Sequence, residues 1–145
     1  DPYRVNINSG ELEMIMENPG NITGWMTDHD GKLRVAITSD GVSTSLLYRD
    51  SEDEHFESIL TTNFKESLSP EFFTFDNKKL YASSNLGRDK TAIVVFDPKT
   101  CKVEEVLYED SDFDVSGLSY SKKDKKLTAV SYTGITHKYH FFDEE

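Results

Sequence analysis

A serine that follows a glycine is the first feature of this sequence that could do chemistry. Residues 117–121 read GLSYS, which is half of the Gly-x-Ser-x-Gly pattern that holds a nucleophilic serine on a sharp strand-to-helix turn. Ser121 stands where the second glycine belongs, and the surrounding residues predict a strand with no helix after it. We therefore expect Ser119 to be an ordinary strand residue, and the sequence predicts no catalytic residue in this chain.

Metal ligands are the next possibility, and the chain has four histidines: His29, His55, His137 and His140. His137 and His140 are three apart on a predicted strand, so their side chains point to opposite faces and cannot share one ion. The run DHDG at 28–31 matches the opening of a calcium loop, but the twelfth position is Ser39 where the loop needs glutamate. The sequence therefore predicts neither a metal site nor a bound cofactor.

Two acidic stretches leave two interpretations open: DSEDEHFE at 50–57 and EDSDFD at 109–114. They are either a solvated surface or an acidic rim that attracts cationic peptides or a divalent ion. Trp25 is similarly open between packing in the core and stacking on a ligand. Cys101 lies in a predicted turn, where glycine is usual, and nothing near it in the sequence indicates a reactive thiol.

Composition excludes several classes of partner. The formal net charge of −11 argues against nucleic acid and against an anionic membrane surface, which both attract clustered Lys and Arg. No apolar run approaches the roughly 20 residues that span a bilayer.

The single cysteine cannot form an internal disulfide and leaves the compartment open between cytoplasm and periplasm. Because residue 1 is Asp, we expect a processed chain whose natural protein extends beyond one or both ends.

A repeat organises the elements that must position these residues. The runs DGKLRVAITSDG, DNKKLYASSN and DKKLTAVSYTG align on Leu33, Leu80 and Leu127, which are separated by 47 residues in each case. A second marker, an apolar or aromatic strand closed by an acid or amide at a turn, recurs at similar intervals at Asn8, Asp50, Asp97 and Asp143. Equal intervals indicate one structural unit used repeatedly.

Period-2 alternation and β-branched residues predict thirteen strands. Their predicted ranges are 3–7, 11–17, 22–28, 33–39, 44–49, 55–61, 71–75, 79–84, 92–97, 102–108, 115–120, 126–132 and 136–142. Leu33, Val35 and Ile37 are predicted to share one face, as are Leu80 with Ala82 and Leu127 with Ala129.

The predicted fold class is all-β: a partial β-propeller of about three four-stranded antiparallel blades, since blades run to roughly 40–50 residues. A β-sandwich is the alternative, although it does not require equal units. We expect one domain over 1–145, with the end of a preceding blade at 1–20, blades at 21–66 and 67–113, and an incomplete blade at 114–145. Three blades leave open edges, so we expect the chain to self-associate or to pack against a neighbour.

The second unit, SPEFFTFDNKKLYASSNLGRDKTAIVVFD, resembles the repeat of Tol-type and peptidase propellers. Pro70, Phe73, Asp76, Asn77, Lys78, Leu80, Ser83, Ser84, Ile93 and Asp97 fill that pattern, with Asn77 where glycine is commoner. With GWMTDHDGKLRVAITSDGVSTSLLYRD before it and DVSGLSYSKKDKKLTAVSY after it, nearly the whole chain resembles the N-terminal propeller of the prolyl oligopeptidase family. That family includes acylaminoacyl-peptidases and dipeptidyl aminopeptidases.

The resemblance implies a non-catalytic role for this chain. In the family, a following α/β-hydrolase domain of the same parent chain supplies nucleophile, acid and base, and the propeller filters peptide substrates by size. The alternative function is a stand-alone or envelope-associated propeller that binds a protein or ligand. An enzyme that uses the acidic rim is a third, less favoured reading.

Overall fold

The computed structural model describes residues 1–142, which contain β-strands and no helix. The strands are β1 (Tyr3–Val5), β2 (Leu12–Met14), β3 (Ile22–Thr27), β4 (Leu33–Ser39), β5 (Thr44–Tyr48), β6 (Glu57–Thr62), β7 (Leu68–Phe73), β8 (Leu80–Ser84), β9 (Ala92–Asp97), β10 (Lys102–Tyr108), β11 (Val115–Ser121), β12 (Lys126–Thr133) and β13 (His137–Phe141). The predicted all-β class and all thirteen strands are therefore confirmed in the described residues. These strands form four sheets, and none of the four closes on itself within residues 1–142.

The chain divides into two compact units, one over 1–61 and one from residue 62 onward. The first unit contains the two-stranded hairpin β1-β2 and the four-stranded sheet β3-β4-β5-β6, whose last strand ends at Thr62. Strands that follow each other in sequence are neighbours in the sheet, so this sheet is a simple meander. Its central strand β4 begins with four buried residues, 33–36.

The second unit contains a four-stranded sheet, β7-β8-β9-β10, and a three-stranded sheet, β11-β12-β13. The two sheets pack together through Ile93 of β9 and Val115 and Val130 of the three-stranded sheet, all of which are fully buried. β9 is buried on both of its faces, because Ala92, Ile93 and Val94 are consecutive and all inaccessible to solvent. Both four-stranded sheets thus have the form that the repeat predicted.

Single-residue bulges change which side chains share a face. In β4 the bulge falls at Arg34, because Leu33 pairs with Thr27 while Val35 pairs with the adjacent residue Met26. Adjacent strand residues point to opposite faces, so the predicted common face of Leu33 and Val35 is wrong.

The third sheet departs from prediction in the same way, because Leu127 and Ala129 pair with the adjacent residues Tyr120 and Ser119 around a bulge at Thr128. The common face of Leu80 and Ala82 is confirmed, since β8 contains no such bulge.

Strand β7 begins three residues earlier than predicted, at Leu68, and so includes Pro70. Proline lacks the N–H that a central strand donates, but β7 is an edge strand with only β8 as a neighbour in its sheet as described. A further bulge at Glu71 lies between the pairs Pro70–Ala82 and Phe72–Tyr81. The edge position and the bulge together explain how a strand forms across a proline.

The polar turn residues behave largely as predicted. Asp97 Oδ1 accepts hydrogen bonds from the N–H groups of Lys99 (2.8 Å) and Thr100 (3.4 Å). In the first turn Asn6, rather than the predicted Asn8, is the accepting side chain. Asn77 has a φ of 59°, the left-handed conformation for which glycine is commoner. The predicted turn at Asp143 lies outside the described residues.

Candidate functional site

A buried cluster of charged side chains lies in the first unit, where the DHDG turn meets the acidic stretch 50–57. Arg34 and Arg49 are each only 8% exposed, and Asp28 is 9% exposed. Charged residues are rarely buried to this extent unless they are paired. The arrangement brings two motifs from the sequence into one place, and we therefore take it as the candidate site.

Arg34 is the centre of the cluster, and the bulge in β4 sets its position. Its Nη1 lies 3.3 Å from Asp28 Oδ2, its Nη2 donates to the Tyr48 hydroxyl at 2.6 Å, and its Nε donates to the Arg49 carbonyl at 3.3 Å. Asp50 Oδ1 lies 3.8 Å from the same Nη2. The guanidinium therefore links the β3–β4 turn to the end of β5.

Asp28 shapes the turn as well as pairing with Arg34. Its Oδ1 accepts hydrogen bonds from the N–H groups of Asp30 and Lys32, both at 2.9 Å. Gly31 supplies the left-handed residue of the turn, with a φ of 75°. The aspartate of DHDG is thus a turn acceptor and an ion-pair partner.

Tyr48 is enclosed between the guanidinium and a second carboxylate. Its hydroxyl donates to Asp50 Oδ1 at 2.7 Å while accepting from Arg34. Burial, together with the hydrogen bond to Asp50, raises the pKa of Tyr48 to about 12. The phenol therefore stays neutral at physiological pH and acts as a hydrogen-bond relay between the two charged groups.

Arg49 fixes the acidic stretch to the sheet through backbone atoms. Its Nε donates to the Leu33 carbonyl at 2.8 Å, and its Nη1 donates to the carbonyls of Glu52 and Glu54 at 3.2 Å each. The guanidinium carbon lies 4.4 Å from the centre of the Phe56 ring. Burial lowers the pKa of Arg49. Its Nη2 has no hydrogen-bond partner among the described residues, which leaves the aromatic face of Phe56 as the compensating contact.

Glu52 completes the cluster on its outer side. Its Oε1 accepts from Leu33 N–H at 3.1 Å and from Arg4 at 2.8 Å, and Lys32 lies 3.6 Å from Oε2. Burial opposes ionisation, but the hydrogen bonds from Leu33 and Arg4 outweigh it and lower the pKa of Glu52. A cavity of about 210 Å³ lies beside these groups; it is lined by Asp28, Lys32, Arg34, Asp50, Ser51, Glu52 and Asp53.

The chemistry of this cluster is structural support. The Arg34 and Arg49 guanidinium groups and the Asp28 carboxylate are held by contacts within the first unit. Within the described chain, no three His, Cys, Asp or Glu side chains come together in a way that could hold a metal ion. The acidic stretch 50–57 is therefore anchored at its start by buried arginines.

The other candidate residues do not come together. Ser119 is an exposed residue of β11 opposite Ala129, in a strand that runs on to Ser121 without the turn that a nucleophile elbow needs. His140 stacks on Tyr108 at 4.4 Å between ring centres, whereas His137 packs edge-on against Tyr139 at 4.9 Å. The two histidines thus use different neighbours, as opposite faces of β13 require.

The second acidic stretch, 109–114, is also occupied by local contacts. Glu109 pairs with Arg88 at 2.6 Å, and Asp110 Oδ1 accepts from the N–H groups of Asp112 and Phe113. Asp114 accepts from Thr91 N–H at 2.8 Å. Whether the two stretches form one rim stays a prediction.

Two further residues from the sequence have clear local settings. Trp25 is half-buried on β3 and its ring lies 6.3 Å from that of Phe56, so packing within the first unit accounts for much of its surface. Cys101 is an exposed free thiol with a φ of 56°, which confirms its place in a turn that favours glycine. Among residues 1–142 there is no helix long and apolar enough to cross a membrane.

Sequence reasoning missed the buried arginines. In LRVAITS the arginine lies between apolar residues, and this alternation predicts that its side chain is on the solvent face of the strand. Asp28 lies one residue after the end of β3, and Asp50 lies two residues after the end of β5. These two acids are the sequence signal that could have indicated a buried role for Arg34.

Comparison with known proteins gives one informative match. The chain is 32% identical over 139 residues to dipeptidyl aminopeptidase BIII of Pseudoxanthomonas mexicana. The matched region covers 90% of this chain but only 19% of the relative, so the chain spans about a fifth of that protein's length. No family model matches the chain. The similarity supports a peptidase-associated region, in agreement with the resemblance that the repeat carries.

Proposed function

We propose that this chain is a partial β-propeller from a serine peptidase, and that it controls the access of peptides to a catalytic domain carried elsewhere in the parent protein. The observation that carries the proposal is the similarity to one part of a dipeptidyl aminopeptidase. The chain then contributes to the parent's substrate selection rather than to its bond cleavage.

Burial in the second unit supports a propeller over a sandwich. Ala92, Ile93 and Val94 of β9 are all fully buried, so the sheet β7-β8-β9-β10 is covered on both faces. Blades of a ring have neighbours on both sides, whereas each sheet of a two-layer sandwich leaves its outer face in water. The meander order of every sheet is also that of a blade.

The register of the sheets supports the same arrangement. Leu80 of β8 and Leu127 of β12 are equivalent positions in the repeat. Two paired positions further along, β8 has Ala82 and β12 has Val130, because the bulge at Thr128 adds one residue to β12. The third sheet meets the second through Val130, while the second sheet meets the third through Ile93, which lies on the face opposite to Ala82. Unlike faces therefore meet, as they do when successive units are related by rotation about a common axis.

The division of the propeller follows from the repeat. Residues 1–20 form the end of a preceding blade, 21–66 and 67–113 are complete blades, and 114–145 begin another. The proposed partners are an α/β-hydrolase domain of the same parent and the peptides on which it acts.

Labelling with a fluorophosphonate probe tests where the chemistry lies. The probe reacts with an activated serine, so the full-length parent is expected to be labelled and the 145-residue chain is not. Label on Ser119 or on any other serine of this chain would show that the proposed division of labour is wrong. A parent that carries no reactive serine would instead favour a propeller that serves as a binding module.

A further inference from the structure

Four connections of the second unit lie at the same end of its two sheets. They are the segments between β6 and β7, β8 and β9, β10 and β11, and β12 and β13: 63–67, 85–91, 109–114 and 134–136. Alternate connections of an antiparallel meander lie at one end of a sheet. The ends of the two sheets coincide, because β11 begins where Val115 N–H donates to the Thr91 carbonyl, just before β9, at 3.0 Å. We call this surface the connection end of the second unit.

Hydrogen bonds join these connections to one another. Asn85 accepts from Ser67 N–H at 2.7 Å and donates to the Lys65 carbonyl at 3.0 Å, which links the first connection to the second. Thr91 N–H donates to Asp114 at 2.8 Å, which links the second connection to the third. The connection end is therefore a structured surface rather than a set of independent loops.

The large apolar side chains of this surface differ in whether they are covered. Phe113 packs against the last hairpin, where a Cβ added at Gly134 would lie 2.8 Å from the phenyl ring. Phe64 is instead 83% exposed, and Ile135 is fully exposed. Two large apolar side chains thus project from connections whose other parts are held in place.

The repeat puts an apolar side chain at the same hairpin tip in each unit. Val42, Leu86 and Ile135 each stand next to a glycine between the second and third strands of a sheet. Val42 is 71% exposed and Leu86 is half-buried. Single exposed apolar residues are common on protein surfaces, but turn geometry favours polar residues and glycine. Recurrence at one position of the repeat therefore indicates a shared contact.

The opposite end of the second unit has a different chemistry. Its turns, 74–79, 98–101 and 122–125, contain six lysines and two aspartates. None of the exposed large apolar side chains among residues 1–142 lies in these three turns. Lysine side chains keep their charged ends in water, so this lysine end is suited to solvent. An apolar protein surface would fit the connection end better than the lysine end.

A domain of the same parent fits the connection end better than a separate partner does. The matched region is only 19% of the length of the relative, and the proposed function places an α/β-hydrolase domain in the parent. A separate partner needs a continuous interface of roughly 1,000 Å². A tethered domain has a high effective concentration and forms more polar interfaces, so a few apolar tips among polar loops are enough.

We propose that the connection end faces the α/β-hydrolase domain of the parent, with Val42, Phe64 and Ile135 in the interface and the lysine end in solvent. This inference rests on the proposed function, because it needs a parent with such a domain. Equivalent hairpins of successive blades open on the same mouth of a propeller. Val42, at the hairpin tip of the first unit, is therefore assigned to the same contact.

Thiol labelling of the full-length parent tests which end is covered. Val42→Cys and Ile135→Cys report on the hairpin tips, with Phe64→Cys as a further variant on the same surface. The native Cys101 and Lys78→Cys, both exposed at the lysine end, are the matched controls. Maleimide rates are read by peptide mass spectrometry and divided by the rates in urea-unfolded parent. We expect the tip thiols to react at least about tenfold more slowly than the two controls.

Photo-cross-linking from the same tip thiols identifies what covers them. A benzophenone maleimide on Val42→Cys or Ile135→Cys is expected to cross-link, within one molecule, to the domain that carries the serine labelled by fluorophosphonate. Equal labelling rates at both ends, slow labelling of the lysine end alone, or cross-links only to lipid or to a second molecule would overturn the inference. A reactive serine with rapidly labelled tips would refute this contact alone. A parent without a reactive serine would refute the proposed function and the contact together.

Discussion

Removal of the Asp28 carboxylate is expected to destabilise the first unit strongly. The side chain is 5% exposed, and it pairs with Arg34, whose side chain is 9% exposed, at 3.3 Å. It also accepts two backbone hydrogen bonds of 2.9 Å in the β3–β4 turn. Asp28→Ala is expected to cost about 3–5 kcal/mol of unfolding free energy, the range for removing one member of a buried ion pair. We expect the lower end, because Arg34 keeps Asp50 Oδ1 at 3.8 Å and its hydrogen bonds to Tyr48 and to the Arg49 carbonyl.

An equivalent turn in the second unit provides the control. Asp76 accepts from the Thr74 hydroxyl at 2.6 Å and from Lys78 N–H at 3.1 Å, but it is exposed and has no buried arginine beside it among the described residues. Asp76→Ala is expected to cost about 1 kcal/mol, the net contribution of an ordinary hydrogen bond. Asp28→Asn is expected to fall between the two, since it retains the turn acceptor and removes only the charge.

Urea unfolding gives the comparison directly. Trp25 is the only tryptophan and lies in the first unit, so its fluorescence follows the unit that contains Asp28. Far-ultraviolet circular dichroism follows the β-sheet content for the Asp76 variant. Equal losses for Asp28→Ala and Asp76→Ala would contradict the claim that the buried ion pair, rather than turn geometry alone, stabilises this region.

Three further changes test other parts of the structure. Burial raises the pKa of Glu71, with only a hydrogen bond to Ser83 opposing it, so the stability linked to this group is present below its unfolded pKa and is lost as pH rises. Glu71→Gln should remove that loss and raise the urea midpoint at neutral pH; a lower midpoint would be contrary to this reading. The raised pKa of Tyr48, about 12, predicts stability that is full below about pH 10 and falls between about pH 10 and 12, and Tyr48→Phe should flatten this part of the fluorescence-monitored profile. Cys101 has a φ of 56°, which favours glycine over a residue with a side chain. In thermal unfolding, Cys101→Gly should stabilise the chain by up to about 1 kcal/mol, and Cys101→Val should destabilise it by about 1–2 kcal/mol. The reverse order would show that the turn is not strained.

The strand pattern could be predicted from the sequence because it depends on local alternation. β4, β9 and β10 have the predicted bounds, since each holds several β-branched or apolar residues between polar turns. The start of β7 could not be predicted, because the tolerance of Pro70 depends on its position at the edge of a sheet. Whether a strand lies at an edge is a property of the assembled sheet.

The bulges and the buried charges could not be predicted from the alternation of residues within a strand. LRVAITS keeps the same alternation whether or not Arg34 is bulged, and only its pairing with β3 decides which face each side chain occupies. From its position in the bulge, Arg34 reaches Asp28 and Tyr48. Because these contacts join three separate strands and turns, the alternation within β4 could not indicate them, and the only sequence signal was the pair of acids Asp28 and Asp50 just after the ends of β3 and β5.

The structure of the full-length parent would test the central claim most directly. We expect residues 1–142 to form successive blades around one axis in a closed ring, with a catalytic serine from another domain opening onto the interior of that ring. A parent in which these sheets pack as a two-layer sandwich, or in which no active site faces them, would contradict the account.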